Sequence, residues 1–206
     1  MLNPGEYDFR VLDSPQEVRA LIEERNRASN RARMVAGYCW DWNSQKNSGA
    51  MDVVIPEHGF AMQWNLASDE GLWITAPNSV RQIGCIHTSQ GLEVDYIGVI
   101  IGPDLAVLSG SVRTHPEKRS RMDKSLHGYK KALEADPDSA RLKADAIIRN
   151  TYRTLMTRGM KGCYIYCTDR ELAEHLKTRI SRNEPADKHT IPLAMVAEDP
   201  GTYSDL

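Results

Sequence analysis

No apolar run in this chain approaches the ~18 residues of a membrane span, and the N-terminal MLNPGEYDF lacks the basic-then-apolar layout of a secretory leader. These absences set the expectation of a cytoplasmic protein without a membrane partner. Neither charge is in surplus: 26 Lys and Arg stand against 28 Asp and Glu, a formal net charge of -2. Binding to nucleic acid would therefore have to come from a local patch. Cys39, Cys85, Cys163 and Cys167 form no C-x-x-C pair, and the six histidines show no ligand spacing with them or with one another, so no metal site is expected. There is no internal repeat. G-x-x-x-x-G-K-[ST] is absent too, and with it any downstream apolar strand ending in Asp-Glu. The phosphate cradle and Mg²⁺ ligands of a self-contained nucleotide hydrolase are missing.

What is present suffices for one main core: 206 residues, 41% of them hydrophobic. Ser14-Pro15-Gln16-Glu17 reads as a capping box, with Val18, Leu21 and Ile22 at helical spacing in a helix ending near Asn26. Short apolar runs predict strands at Met34–Cys39, Asp52–Ile55, Leu72–Thr75, Ile83–His87 and Tyr96–Ile101. The last is apolar on both faces, as in the middle of a covered parallel sheet. A long helix follows, capped by Ser139, with Leu142, Ala146, Ile147, Leu155 and Met156 along it and Gly159 at its end. CYIYC (163–167) reads as a strand that puts Cys163 and Cys167 on one face as free thiols, and Thr168 caps a last helix to about Ile180. The order predicts an α/β domain over 1–182, with a mainly parallel sheet flanked by helices and a weakly ordered tail at 183–206.

Two stretches carry chemistry. In IHTSQGLEVD (86–95) a strand turns through Thr88, Ser89 and Gln90, whose hydroxyls and backbone N–H groups suit a phosphate. Gly91 allows close approach, and Glu93 suits a ribose. The same residues would equally serve a locally capped polar loop. In NTYRTLMTRGMKGCYIYC (150–167), Arg153 and Arg158 stand near the end of the long helix, where arginine reaches phosphate or simply caps the helix.

Together the two stretches resemble motifs V and VI of superfamily 1 helicases. The closer resemblance is to the Schlafen-type DNA/RNA helicase group, through GYCWDW (37–42), DVVIPE (52–57), GCIHTSQGLEVDYIGVIIGPDL (84–105) and YRTLMTRG (152–159), across roughly 33–169. The resemblance implies a second, C-terminal RecA-like three-layer domain. It implies Gln90, Gly91 and Glu93 at the nucleotide, Arg158 as the arginine finger with Arg153 as an auxiliary, and His87, Thr88 and Ser89 on the nucleic-acid backbone. ATP and Mg²⁺ would be held mainly by a first RecA-like domain preceding Met1, and the partner would be single-stranded DNA or RNA. On this reading the isolated chain does not hydrolyse ATP.

Trp40 and Trp42 alternate in a short segment and could stack on unpaired bases, although tryptophans beside a strand more often pack a core. Inside a basic insertion at 109–137, between Arg113 and Lys131, the cations Arg113, Lys118, Arg119, Arg121, Lys124, Lys130 and Lys131 stand against only Glu117 and Asp123. That segment reads as a phosphate track or a solvated loop. The alternative to half of a motor is a non-catalytic RecA-like module that binds nucleic acid or protein.

Overall fold

The computed structural model describes residues 7–183 apart from 66–72, 75, 77, 90 and 92. Most of the expected tail therefore lies outside the described residues, as does Gln90. Four helices and nine strands are described: β1 (Asp8–Leu12), α1 (Pro15–Ser29), β2 (Ala32–Ala36), β3 (Val53–Ile55), β4 (Phe60–Trp64), β5 (Gln82–Gly84), β6 (Val94–Ile101), β7 (Leu105–Leu108), β8 (Ser111–Thr114), α2 (Tyr129–Ala135), α3 (Pro137–Met156), β9 (Gly159–Cys167) and α4 (Arg170–Asn183). Seven strands form one sheet in the order β1-β9-β6-β2-β5-β4-β3. Every pairing in it is parallel except β3 with β4.

Strand alternation splits the core into two layers. Met34, Ile100, Tyr164 and Tyr166 face one way and meet Val18 and Ile22 of α1. Val35, Val99, Ile101, Cys163, Ile165 and Cys167 face the other and meet Ile148, Tyr152 and Leu155 of α3 and Leu172 of α4. The fold is thus three-layered α/β, as the sequence indicates. Gly98 lets α1 close on the sheet, because a Cβ there would lie 2.8 Å from both Val18 and Ile22.

Several elements depart from expectation. Ser14 caps α1 by accepting from the amides of Gln16 and Glu17, but the helix runs on to Ser29 and stops at Asn30 in the left-handed region. Asn26 does not end it: its backbone carbonyl accepts from Asn30 N–H at 2.8 Å, while its side-chain Oδ1 accepts from Ala32 N–H and Arg33. The cap of α3 is Asp136, which accepts from Ser139 N–H at 3.2 Å. Its buried stripe runs through Ala140, Ala144, Ile148 and Tyr152, while Leu142 is 73% exposed. Asp169, not Thr168, caps α4, accepting from Leu172 N–H at 2.7 Å. Of the strand expected at 72–75 only Trp73 and Ile74 are described, and they lie in a turn. The 109–137 segment contains structure: it completes the β7–β8 hairpin and carries α2.

Arg33 is fully buried in β2 among neutral acceptors: Asn26 Oδ1 at 2.6 Å, Ser79 Oγ at 2.8 Å, Ala32 O at 2.7 Å and the carbonyl of Ile74. Burial lowers its pKa to about 10. Hydrogen bonds to oxygens of α1 and of the segment before β5 hold this cation inside the protein.

Candidate functional site

The turn after β5 is closed by its own side chains. Thr88 Oγ1 accepts from Cys85 N–H at 2.8 Å and donates to Cys85 O at 3.0 Å, and Ser89 Oγ donates to the same carbonyl at 2.8 Å. Ser89 is buried, so its hydroxyl serves the turn and faces no solvent. His87 is the exposed member, with its side chain 51% accessible.

This turn lies at the carboxyl edge of the sheet, because Gly84 pairs with Val35, and Val35 with Val99 of β6. Glu93 does not share that edge. It immediately precedes Val94, the first residue of β6, so the chain has crossed to the amino edge, a drop of roughly 17 Å at strand rise. There Val94 N–H donates to Arg158 O at 2.9 Å, and Val94 pairs with Gly159. The one stretch IHTSQGLEVD therefore serves two opposite edges of the sheet.

At the amino edge, Glu93 is exposed and Gly91 adopts φ 73, which glycine tolerates without a Cβ clash. Arg158 is half-buried, and its Nε donates to Thr154 O at 3.1 Å across the last turn of α3. Arg153 is exposed on the same helix, and its carbonyl accepts from Thr157 N–H at 3.2 Å. Nearby, Asp95 accepts from Lys161 at 2.8 Å and Arg31 at 3.0 Å. The hydrogen bond from Lys161, and then that from Arg31 against some burial, holds its carboxyl below the usual range.

At the carboxyl edge, GYCWDW is irregular and its two half-buried tryptophans find different partners. Trp40 Nε1 donates to Val54 O at 3.2 Å, while Trp42 packs 6.4 Å from the Tyr38 ring and 6.2 Å from Trp64. His87 meets Tyr38 edge-on at 6.5 Å. A cavity of about 540 Å³ opens beside them between Trp40, Asp41, Asn43, Ser120 and Arg121.

Behind this edge lies a polar network that the sequence reading did not single out. Arg119 donates from Nε to Asp104 Oδ2 at 2.6 Å and from Nη1 to Asp123 Oδ2 at 2.7 Å, all three side chains being at most 1% exposed. The Tyr152 hydroxyl donates to Asp104 Oδ1 and accepts from Gly102 N–H at 2.9 Å. Burial lowers the guanidinium pKa, but Asp104, Tyr152 and Asp123 together raise it above the ordinary arginine value. Burial, and then Cys39 and Asp104, pushes the Tyr152 phenol up, so it stays a donor. Arg119 is therefore no part of a basic surface; the other six cations counted in that run are exposed. Only the buried position separates it from its neighbours, and composition does not reveal that. Among the described residues, no three His, Cys, Asp or Glu side chains gather as metal ligands. Nor is any described helix long and apolar enough to cross a membrane.

An uncharacterized protein of Saccharomyces cerevisiae (strain ATCC 204508 / S288c), YPL245W, is 25% identical over 174 residues, covering 82% of this chain and 36% of the yeast protein. The chain thus spans little more than a third of that relative. No solved structure matches the chain. The family model for the Schlafen group 3 DNA/RNA helicase domain matches residues 2–169, most of the chain, and the chain belongs to that family.

Proposed function

We propose that this chain is the C-terminal RecA-like half, over 1–182, of a superfamily 1 helicase-like ATPase acting on single-stranded DNA or RNA. The observation that carries the reading is the Val94–Arg158 backbone bond, which puts Glu93 and Arg158 side by side at one edge of the sheet. A carboxylate for a ribose and a guanidinium for a phosphate are the groups a nucleotide-facing surface needs. The edge fits one side of a nucleotide and lacks a phosphate loop, so ATP and Mg²⁺ would be held mainly by an N-terminal RecA-like domain of the same parent protein. Bound there, they supply the phosphoryl group and the metal charge.

The residues of this chain then have distinct tasks. Turning Arg158 from Thr154 O to a phosphate oxygen keeps the cationic donor and exchanges a neutral acceptor for an anionic one. Glu93 holds the sugar, Gln90 and Gly91 border the cleft, and Arg153 adds positive charge along α3. At the opposite edge His87 meets the nucleic-acid backbone, with Trp40 and Trp42 beside it. Thr88 and Ser89 contribute by fixing the turn and presenting its backbone, since their hydroxyls are engaged with Cys85. Closure of the two domains would couple the edges.

Photo-crosslinking with mass-spectrometric mapping tests the reading. An azido-ATP should label the neighbourhood of Gly91 and Glu93, and a thiouridine oligonucleotide that of His87 and Trp40. Labelling by the oligonucleotide alone would favour a non-catalytic binding module. Labelling by neither would refute both assignments.

A further inference from the structure

A polar chain runs from the surface at His87 inward to α3, the helix that precedes Arg158. His87 Nε2 stands 4.0 Å from Asp123 Oδ1. Asp123 is held by Arg119, Arg119 by Asp104, and Asp104 by the Tyr152 hydroxyl. Burying two carboxylates and a guanidinium is a poor way to gain stability, since an apolar set of the same volume serves as well or better. What such a chain supplies is direction: from Asp123 inward each hydrogen-bonded link fixes the orientation of the next, with His87 poised at its outer end.

Tyr152 is fixed from every side. Its hydroxyl binds Gly102 N–H just beyond β6, and it fills the space a side chain at position 37 would need, 1.9 Å from the ideal Cβ position of Gly37. Helix side chains lean toward the helix N-terminus, so the ring of Tyr152 reaches from α3 back to the carboxyl edge, while Arg158 follows the end of α3 at the amino edge. Close-packed interiors of this kind answer displacement by discrete rearrangement.

We propose that Tyr152 is a positioning residue for Arg158: through Asp104, Arg119 and Asp123 it ties α3 to His87, so that single-stranded nucleic acid on the His87 edge moves Arg158. This rests on the functional reading above. By linkage, a nucleotide at the Arg158 edge must change oligonucleotide affinity by the factor with which the oligonucleotide changes nucleotide affinity.

The test is amide NMR on the 206-residue chain with a short oligouridylate. The expected result is shifts at His87 and Thr88 and also at Arg158 and Gly159. Tyr152→Phe should keep the first pair and lose the second. Thr151→Val, which removes a buried hydroxyl on the same helix that bonds Ile147 O at 2.8 Å, should keep both. Should Tyr152→Phe fail to fold, Arg119→Lys takes its place with the same expectation, because an ammonium lacks the planar fork that bridges two carboxylates. Persistence of the Arg158 response in Tyr152→Phe, or its loss in Thr151→Val, overturns the inference. A ligand-free arm separates the tie from the functional reading. His87→Ala should shift the Arg158 amide in the parent sequence and not in Tyr152→Phe. If that arm holds while the oligonucleotide does not bind, the tie stands and the nucleic-acid reading fails. If it shows no shift in the parent sequence, the tie itself is refuted.

Discussion

The amide of Val94 donates to the carbonyl of Arg158 at 2.9 Å, joining the start of β6 to the end of α3. Residues far apart in sequence thereby meet at one edge, and the backbone brings Glu93 and Arg158 close together there. The partner edge, with His87, lies at the other end of the same strands.

Gly37 should be the most sensitive small residue in this arrangement. A Cβ there lies 1.9 Å from the Tyr152 hydroxyl and 2.6 Å from Cζ. Gly37→Ala should therefore cost roughly 1–3 kcal/mol, the range for overpacking a filled core. Adding Tyr152→Phe should recover part of that loss and no more, since the ring carbon remains too close. Urea denaturation of the four proteins of the cycle checks both statements.

The acid limb of stability should depend on Asp95. Its carboxyl titrates below the usual value when folded, so the unfolded chain binds the proton more tightly. The stabilisation is complete above the ordinary carboxylate value of about 3.9, and it is lost as pH falls through the folded value. Asp95→Asn should flatten the fall in melting temperature below about pH 4, leaving the share due to Asp8, which is also lowered. An unchanged acid limb would contradict the assignment.

Much of this was legible from sequence where local rules and tertiary packing agree. The two-faced apolar run of β6, CYIYC with its same-face thiols, and the Ser14 cap needed only period and capping chemistry. The helix caps at Asp136 and Asp169 lie a few residues or fewer from the expected Ser139 and Thr168, because neighbouring residues are equally competent acceptors and only the folded chain chooses among them. The split of IHTSQGLEVD between two sheet edges is a matter of register, which no local pattern contains. Arg119 was hidden in a basic run, and its burial depends on Asp104 and Tyr152 arriving from other elements.

Oligonucleotide binding at the His87 edge should be salt-dependent and should involve Arg121, which is exposed beside Trp40 and Asp41. For a single strand each neutralised phosphate contributes about 0.7 to the log–log slope, so Arg121→Ala should reduce the slope by about that amount. Fluorescence anisotropy across a salt series reads it. Salt-independent binding would move the nucleic acid off this surface.

The most direct measurement is steady-state ATP turnover by the full parent protein, by its Arg158→Ala variant and by the 206-residue chain alone. The account predicts no turnover by the chain alone, turnover by the parent, and a loss of about 10³-fold or more in the variant, as when an arginine finger is withdrawn from phosphoryl transfer. Turnover by the chain alone, or a parent protein indifferent to Arg158→Ala, would contradict it.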